Sequence, residues 1–304
     1  MKVNIRRLWR NRDFLLILAL TLGLLAGSGA IWTEKLVLPA LAVVMTLSTM
    51  GVTGSVFRSP RDLYIPFFVG LVMNFVVLGG LILGLNALLI SDKAISTGFI
   101  LLVAVPPAIA VIPFTYLLNG NNSFSLIGTI GAYLGALFIT PVIAIGLLGT
   151  GFIHPLKLLV ILVELILLPL VLSRILIRTG VAVHLEPVKG AITNWSFFLI
   201  TYTIVGLNRG MILGQPLSLA PVAIIALATT FLLGGVIERV ARLFRIDPST
   251  ITSVVLLGTL KNYALAGGLA LALFSQQTAV PATVSTVFMI VYIIWLGLKK
   301  RWSE

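Results

Sequence analysis

The sequence predicts an all-α membrane protein of about ten transmembrane helices. Three observations predict it. Hydrophobic residues make up 59% of the 304 residues and charged residues only 10%, where soluble domains carry roughly a quarter charged. Apolar runs of spanning length recur along the chain, and basic residues collect at alternate ends of those runs. So little charge cannot cover a water-facing surface, so the medium around most of the chain must be lipid. The mean hydropathy of +1.14 agrees.

The runs read, in order, as Phe14–Ile31, Leu36–Phe57, Leu63–Ile90, Ser96–Leu118 and Ser123–Leu148, then Pro155–Leu176, Ala191–Leu213, Pro216–Val240, Pro248–Phe274 and Val280–Leu298. Each is long enough to cross a hydrocarbon core of about 30 Å at about 1.5 Å per residue, with some tilt. Short loops are expected at Trp32–Lys35, Ser91–Ala94, Asn119–Asn122 and Gly149–His154. The first run has a basic preface and small residues near Gly27–Ala30, as a cleaved signal would. Nine further spans follow it, so a retained first helix is the better reading.

Ten spans put both termini on one side. Sixteen of the 21 Lys and Arg residues then fall on that side, and four (Lys35, Lys93, Lys157 and Arg209) on the other; Lys261 lies inside a span. The positive-inside rule makes both termini cytoplasmic. The expected location is the cytoplasmic membrane of a bacterium or archaeon. A count wrong by one span would scramble the asymmetry. Topology thus explains the formal charge of +12, and no RNA-binding motif or aromatic–basic interleaving points to nucleic acid. With no cysteine, disulfides, zinc-thiolate sites and iron–sulfur clusters are excluded. His154 and His184 fall in predicted loops and read as interfacial. Neither a metal nor a cofactor is expected.

Ten spans divide as five plus five, residues 1–148 and 155–298, and an odd number per half forces the halves to be inverted. Inverted repeats are a common plan in carriers, whose sites lie at helices interrupted near the midplane. The fourth span contains Val105-Pro106-Pro107-Ala108, with Pro113 beyond. Adjacent prolines remove two backbone donors and disfavour helix before them. The ninth contains Leu260-Lys261-Asn262-Tyr263-Ala264-Leu265-Ala266-Gly267-Gly268, where a charge, an amide and a glycine pair interrupt an apolar run. The prolines alone could mark a simple kink. Interruptions in the fourth span of each half favour a crossing of two broken helices. The candidate substrate-binding residues are Pro106, Pro107, Ala108, Ile109, Lys261, Asn262 and Tyr263. Freed N–H groups and half-helix N-termini there would attract an anion such as a carboxylate.

Two charges stand near mid-depth, Lys261 in the ninth span and Glu164 in the sixth. A charge there costs at least about 2.5–3.5 kcal/mol. Lys261 is too central to snorkel. It reads as a fixed or titratable cation of a transport site, the alternative being a structural salt bridge. Glu164 sits in an otherwise ordinary apolar helix, and its pairing with Lys261 in one state of a transport cycle is a hypothesis.

These residues resemble the bile acid:sodium symporter family, by span order from Leu36 to Leu298. The resemblance is sharpest in Val105-Pro106-Pro107 through Phe114-Thr115-Tyr116-Leu117, in Asn119-Gly120-Asn121, from Ser125 to Pro141, in Leu257 through Ala266, and in Val280-Pro281. The family's fourth span has Cys-Pro-Gly-Gly and then a Thr-Tyr-Leu-x-x-Gly-Asn turn; its ninth reads Glu-x-Gly-x-Gln-Asn-x-x-Leu-Ala. The resemblance implies two inverted five-helix repeats with broken, crossed helices 4 and 9. It also implies a panel domain of helices 1, 2, 6 and 7, a core domain of helices 3–5 and 8–10, and transport of organic anions, commonly with two sodium ions.

The departures are as informative. The family's sodium-binding Glu falls at Leu257, its sodium-binding Gln at Lys261, and a Ser-Asn pair at Val111 and Ile112. A His-Asn pair of the tenth span falls at Met289 and Ile290. Asn74 (in place of a third-span Gln), Ser125, Thr129 and Asn262 survive. Leu, Val and Ile offer a sodium ion no side-chain oxygen, and Lys261 would set an ammonium where a cation should bind. The coupling candidates are Lys261, Glu164, Asn74, Ser125 and Thr129. The expectation is a secondary transporter of a small organic anion working by alternating access without sodium. It would be a uniporter or exchanger if Lys261 stays charged, and proton-coupled if it titrates. The alternatives are a sodium symporter with an altered ion site and a non-transporting receptor of the same fold. An intramembrane enzyme is disfavoured: no His-Glu-x-x-His occurs, and no acidic pair or mid-depth His lies in the spans. A channel would need a continuous polar lining, and none is evident.

Overall fold

In a medium without water the backbone of a Leu-, Ile- and Val-rich run can satisfy its N–H and C=O groups only within itself, so it coils. A computed structural model describes residues 11–50, 60–149, 160, 163–214 and 216–303. Among the described residues there is no strand, only one isolated bridge. In chain order the first helices are α1 (Arg12–Ala26), α2 (Val37–Thr49), α3 (Pro60–Leu71), α4 (Gly79–Leu89), α5 (Lys93–Ala104), α6 (Val111–Leu117) and α7 (Asn122–Leu148). Then follow α8 (Leu168–Arg178), α9 (Val181–Gly214), α10 (Ala220–Leu227), α11 (Leu233–Leu243), α12 (Pro248–Thr259), α13 (Tyr263–Leu273) and α14 (Val280–Ser303). A π-helical stretch, Val72–Leu78, joins α3 to α4, and another, Ala228–Leu232, joins α10 to α11.

Among the described residues, six helical stretches are long and apolar enough to cross a membrane: Phe14–Leu47, Leu63–Leu89, Asn122–Leu148, Val181–Gly210, Ala220–Leu243 and Gln277–Lys299. Lys93–Ala104, Pro248–Thr259 and Tyr263–Leu273 are apolar but shorter. Two expectations change. The loop expected at Trp32–Lys35 is helical, a single turn at Ala30–Thr33 running into a 3-10 turn at Glu34–Leu36, so one path from Phe14 to Leu47 runs through the expected first span into the second. His184 lies exposed on a helix rather than in a loop. The turn before it needs only Thr179 and Gly180, because Gly180 takes a φ of 76° that side chains resist. Helix α9 can then carry His184 and an ion pair between Glu186 and Lys189 at 3.4 Å. The expected second and sixth spans, and the loop holding His154, lie partly outside the described residues.

The chain forms two compact units. One comprises Met1–Val52 and Leu159–Ser218, the other Thr53–Leu158 and Leu219–Glu304. In the first unit α9 packs along α1 and α2, and α8 along α2. Lipid gives helices no hydrophobic reason to associate, so close approach through small residues takes over. A Cβ on Gly27 would sit 2.6 Å from the Gly206 Cα, and one on Gly206 would sit 2.7 Å from the Ala30 Cβ. The Tyr202 hydroxyl donates to the Ala26 carbonyl at 3.0 Å, and the Arg174 guanidinium to the Thr49 carbonyl at 2.6 Å, where α2 ends with unpaired carbonyls. Gly206→Leu is expected to lower stability by about 1–3 kcal/mol through overpacking, read as a drop in the thermal unfolding midpoint of the purified protein.

In the second unit α7 packs on α3 and α5, α11 on α12, and α14 on α5, α10 and α13. Leu101, Ala270 and Ala279 form a buried cluster against Leu148, Leu271 and Phe274. Helix α12 starts from Asp247, whose carboxylate accepts the N–H groups of Ser249 and Thr250 and the Ser249 hydroxyl. The Ser249 hydroxyl chiefly holds this carboxyl below the usual range. A depressed carboxyl stabilises the fold fully above its unfolded-state pKa, and the contribution is lost as pH falls through the folded value.

Candidate functional site

The two interruptions of the second unit follow from local chemistry. Helix α5 stops at Ala104 because Val105 precedes a proline and is driven to extended backbone, φ −78° and ψ 152°. Pro106 and Pro107 have no N–H to continue a ladder. The chain coils again once Val111 and Ile112 donate to the carbonyls of Ala108 and Ile109, at 3.0 and 3.2 Å. Helix α12 ends where Leu260 turns extended, φ −113° and ψ 114°. Helix α13 restarts because the Asn262 side chain caps it, accepting from the Leu265 N–H at 3.0 Å.

The two extended pieces pair antiparallel, Pro107 opposite Lys261. The Ala108 N–H donates to the Leu260 carbonyl at 3.2 Å and the Asn262 N–H to the Pro106 carbonyl at 3.0 Å. Each break thus supplies partners for backbone groups that the other leaves without any.

Lys261 is fully buried at this bridge. Its Nζ donates to Asn74 Oδ1 at 2.7 Å and to the carbonyls of Val103 and Val105, both at 2.9 Å. It also lies 4.6 Å from the centre of the Phe75 ring. An ammonium has three N–H donors, and all three are used. Val103 and Val105 stand at the C-terminal end of α5, the negative pole of its dipole. Asn74 lies on the π-helical stretch Val72–Leu78, and its Nδ2 donates to the Leu257 carbonyl at 3.4 Å. Among the described residues no carboxylate lies within ion-pair distance of Lys261. Carbonyl and amide dipoles and a ring face are what surround its Nζ.

Helix α7 closes the remaining valences. Thr140 Oγ1 donates to the Ala104 carbonyl at 2.6 Å, and the Tyr133 hydroxyl donates to the Pro107 carbonyl at 3.0 Å while accepting from Asn262 Nδ2 at 2.9 Å. The sequence reading missed Tyr133 and Thr140. A lone Tyr or Thr in an apolar run has no distinguishing spacing, and each is common in spans for other reasons. Ser125, Thr129 and Tyr133 recur every four residues on one face of α7. Ser125 accepts from Thr115 at 2.7 Å, and the buried Thr129 hydroxyl has no hydrogen-bond partner among the described residues.

The structure therefore brings Asn74, Pro106, Pro107, Ala108, Lys261 and Asn262 together, with Tyr263 and Ile109 opening the turns beyond. Ser125 and Thr129 make no hydrogen bond to Lys261. Glu164 belongs to the first unit and is exposed, on the π-helical stretch Val163–Leu167. Asn262→Ala removes both the cap and the donor to Tyr133. It is expected to cost about 1–3 kcal/mol, measured by thermal unfolding, with Tyr133→Phe costing less.

The chemistry available is a buried lysine amine held by neutral dipoles, beside the N-terminal pole of α13. A protonated amine there would disfavour a second cation. Residues 14–296 match the SBF-like CPA transporter family. No match was found among curated proteins.

Proposed function

The chain belongs to the SBF-like CPA transporter family, and from that premise we propose that it is a sodium-independent secondary carrier of a small organic anion, with Lys261 standing in for a coupling cation. The observation that carries this reading is the seat of the Lys261 ammonium on three oxygens at 2.7–2.9 Å. Oxygens at the end of a half-helix are what a transported monovalent ion would bind; here a tethered charge takes them.

The same geometry favours a permanent charge over a proton shuttle. All three partners are acceptors, and a neutral amine would leave one of them without a donor. We therefore favour uniport or exchange over proton coupling. The carrier would work by alternating access. Its plan would be ten spans in two inverted repeats, residues 1–148 and 155–298, with spans 1, 2, 6 and 7 as panel and spans 3–5 and 8–10 as core. Two internal correspondences support the repeat: π-helical stretches at Val72–Leu78 and Ala228–Leu232, and breaks after Ala104 and Thr259. The division of the chain into two units supports the domain assignment.

The test is uptake of a panel of small carboxylates by reconstituted vesicles, with Na⁺ or choline and with or without a pH gradient. Uptake that ignores both Na⁺ and the gradient is expected. Strict Na⁺ dependence would return the protein to sodium symport, and no flux of any solute would favour a receptor.

A further inference from the structure

Away from the crossing, the second unit holds a cavity of about 290 Å³ where α11 ends, α12 begins and α14 approaches its end. Its polar wall includes Asn119, Glu238, Arg242, Ser249, Thr252 and Lys299, over an apolar floor that includes Leu118 and Leu296. Glu238 holds both cations. Arg242 Nε and Nη2 donate to one carboxylate oxygen at 3.3 and 2.8 Å, and Lys299 Nζ donates to the other at 2.6 Å.

Two cations on one carboxylate leave a surplus positive charge. They also leave donors. Two of the five guanidinium N–H groups and one of the three ammonium N–H groups are used on Glu238, so three and two remain. A guanidinium and an ammonium set side by side suit a phosphate, whose non-bridging oxygens accept from several N–H donors at once and whose geometry Arg matches in particular. The start of α12 adds little, because Asp247 already takes its first N–H groups.

We propose that this cavity binds a phosphate group carrying an organic substituent. Its surroundings fit a phospholipid headgroup: Leu243 and Phe244 at the end of α11 are exposed, and Lys299 lies over Trp295 at 5.2 Å. Aromatic and basic side chains in that combination mark the level of lipid headgroups. The site is separate from Lys261, so a binding measurement tests it whether or not the carrier reading holds.

The experiment titrates the purified full chain in neutral detergent with phosphatidylglycerol, phosphatidylcholine or soluble glycerol 3-phosphate, and follows the thermal unfolding midpoint. A saturable rise with phosphatidylglycerol but not phosphatidylcholine is expected. A rise with glycerol 3-phosphate as well supports the same site with a soluble source. The double variant Arg242→Gln, Lys299→Gln should bind at least about tenfold more weakly. Glu238→Gln removes the competing negative charge and one of its two acceptor oxygens, and should bind several-fold more tightly, which a purely structural ion pair would not produce. Equal responses to the two lipids with none to glycerol 3-phosphate, or weaker binding by Glu238→Gln, would overturn the proposal.

Discussion

Lys261→Ala is expected to lower stability by about 2–5 kcal/mol, through orphaned buried acceptors and the cavity left behind, and to abolish uptake in sodium-free vesicles. The truncation removes the donor to Asn74 Oδ1 and to the Val103 and Val105 carbonyls, all buried in a fully enclosed place. Orphaned acceptors there cost about 1–3 kcal/mol each before any relaxation, and the lost side chain leaves a cavity. What remains is a ring of oxygens with no cation. Added Na⁺ should therefore raise the unfolding midpoint of Lys261→Ala more than choline does, and should leave the parent protein unaffected. A variant that transports normally without Na⁺ would end the built-in-cation reading. Equal effects of Na⁺ on both proteins would end it too.

Gly98→Ala should be the most damaging of the single-methyl changes around the site. An added Cβ would stand 2.2 Å from the Thr278 carbonyl oxygen and 2.9 Å from Pro281 Cγ. The first contact is backbone and cannot rotate away. Helix α5 or the 3-10 turn Gln277–Ala279 must shift, at a cost of about 1–3 kcal/mol or more. A shift of α5 carries the Val103 and Val105 carbonyls with it, so uptake should fall along with the unfolding midpoint. Gly80→Ala is the control. Nothing lies within 4 Å of a Cβ there, and alanine favours helix over glycine by about 1 kcal/mol. It should be neutral or slightly stabilising.

Parts of the site are legible from local chemistry. A proline pair must interrupt a helix whatever surrounds it, so Val105-Pro106-Pro107 marks one break without any tertiary knowledge. A lysine and an asparagine inside an apolar run mark another, because a polar group at that depth needs a partner. Other parts are not. Trp32–Lys35 reads as a loop because it carries charge, yet a 3-10 turn lets the helical path continue through it. His184 reads as a loop residue because it falls between the apolar runs that end at Leu176 and begin at Ala191, yet a two-residue turn at Thr179 and Gly180 suffices and the segment after it coils. Tyr133 and Thr140 become visible only when α7 lies beside the crossing.

The sequence by itself determined that the chain is a helical membrane protein and which of its residues would be costly in lipid. Both follow from sums and from nearest neighbours: hydropathy adds along a run, charge asymmetry counts residues, and proline acts on the residue before it. Only the tertiary structure decided what Lys261 does with its charge. Its three acceptors lie 156–187 residues away along the chain, two of them backbone carbonyls that no residue type announces. A carbonyl is available at every position. Which ones stand free at a helix end, and which side chain reaches them, depends on how the two interrupted helices cross.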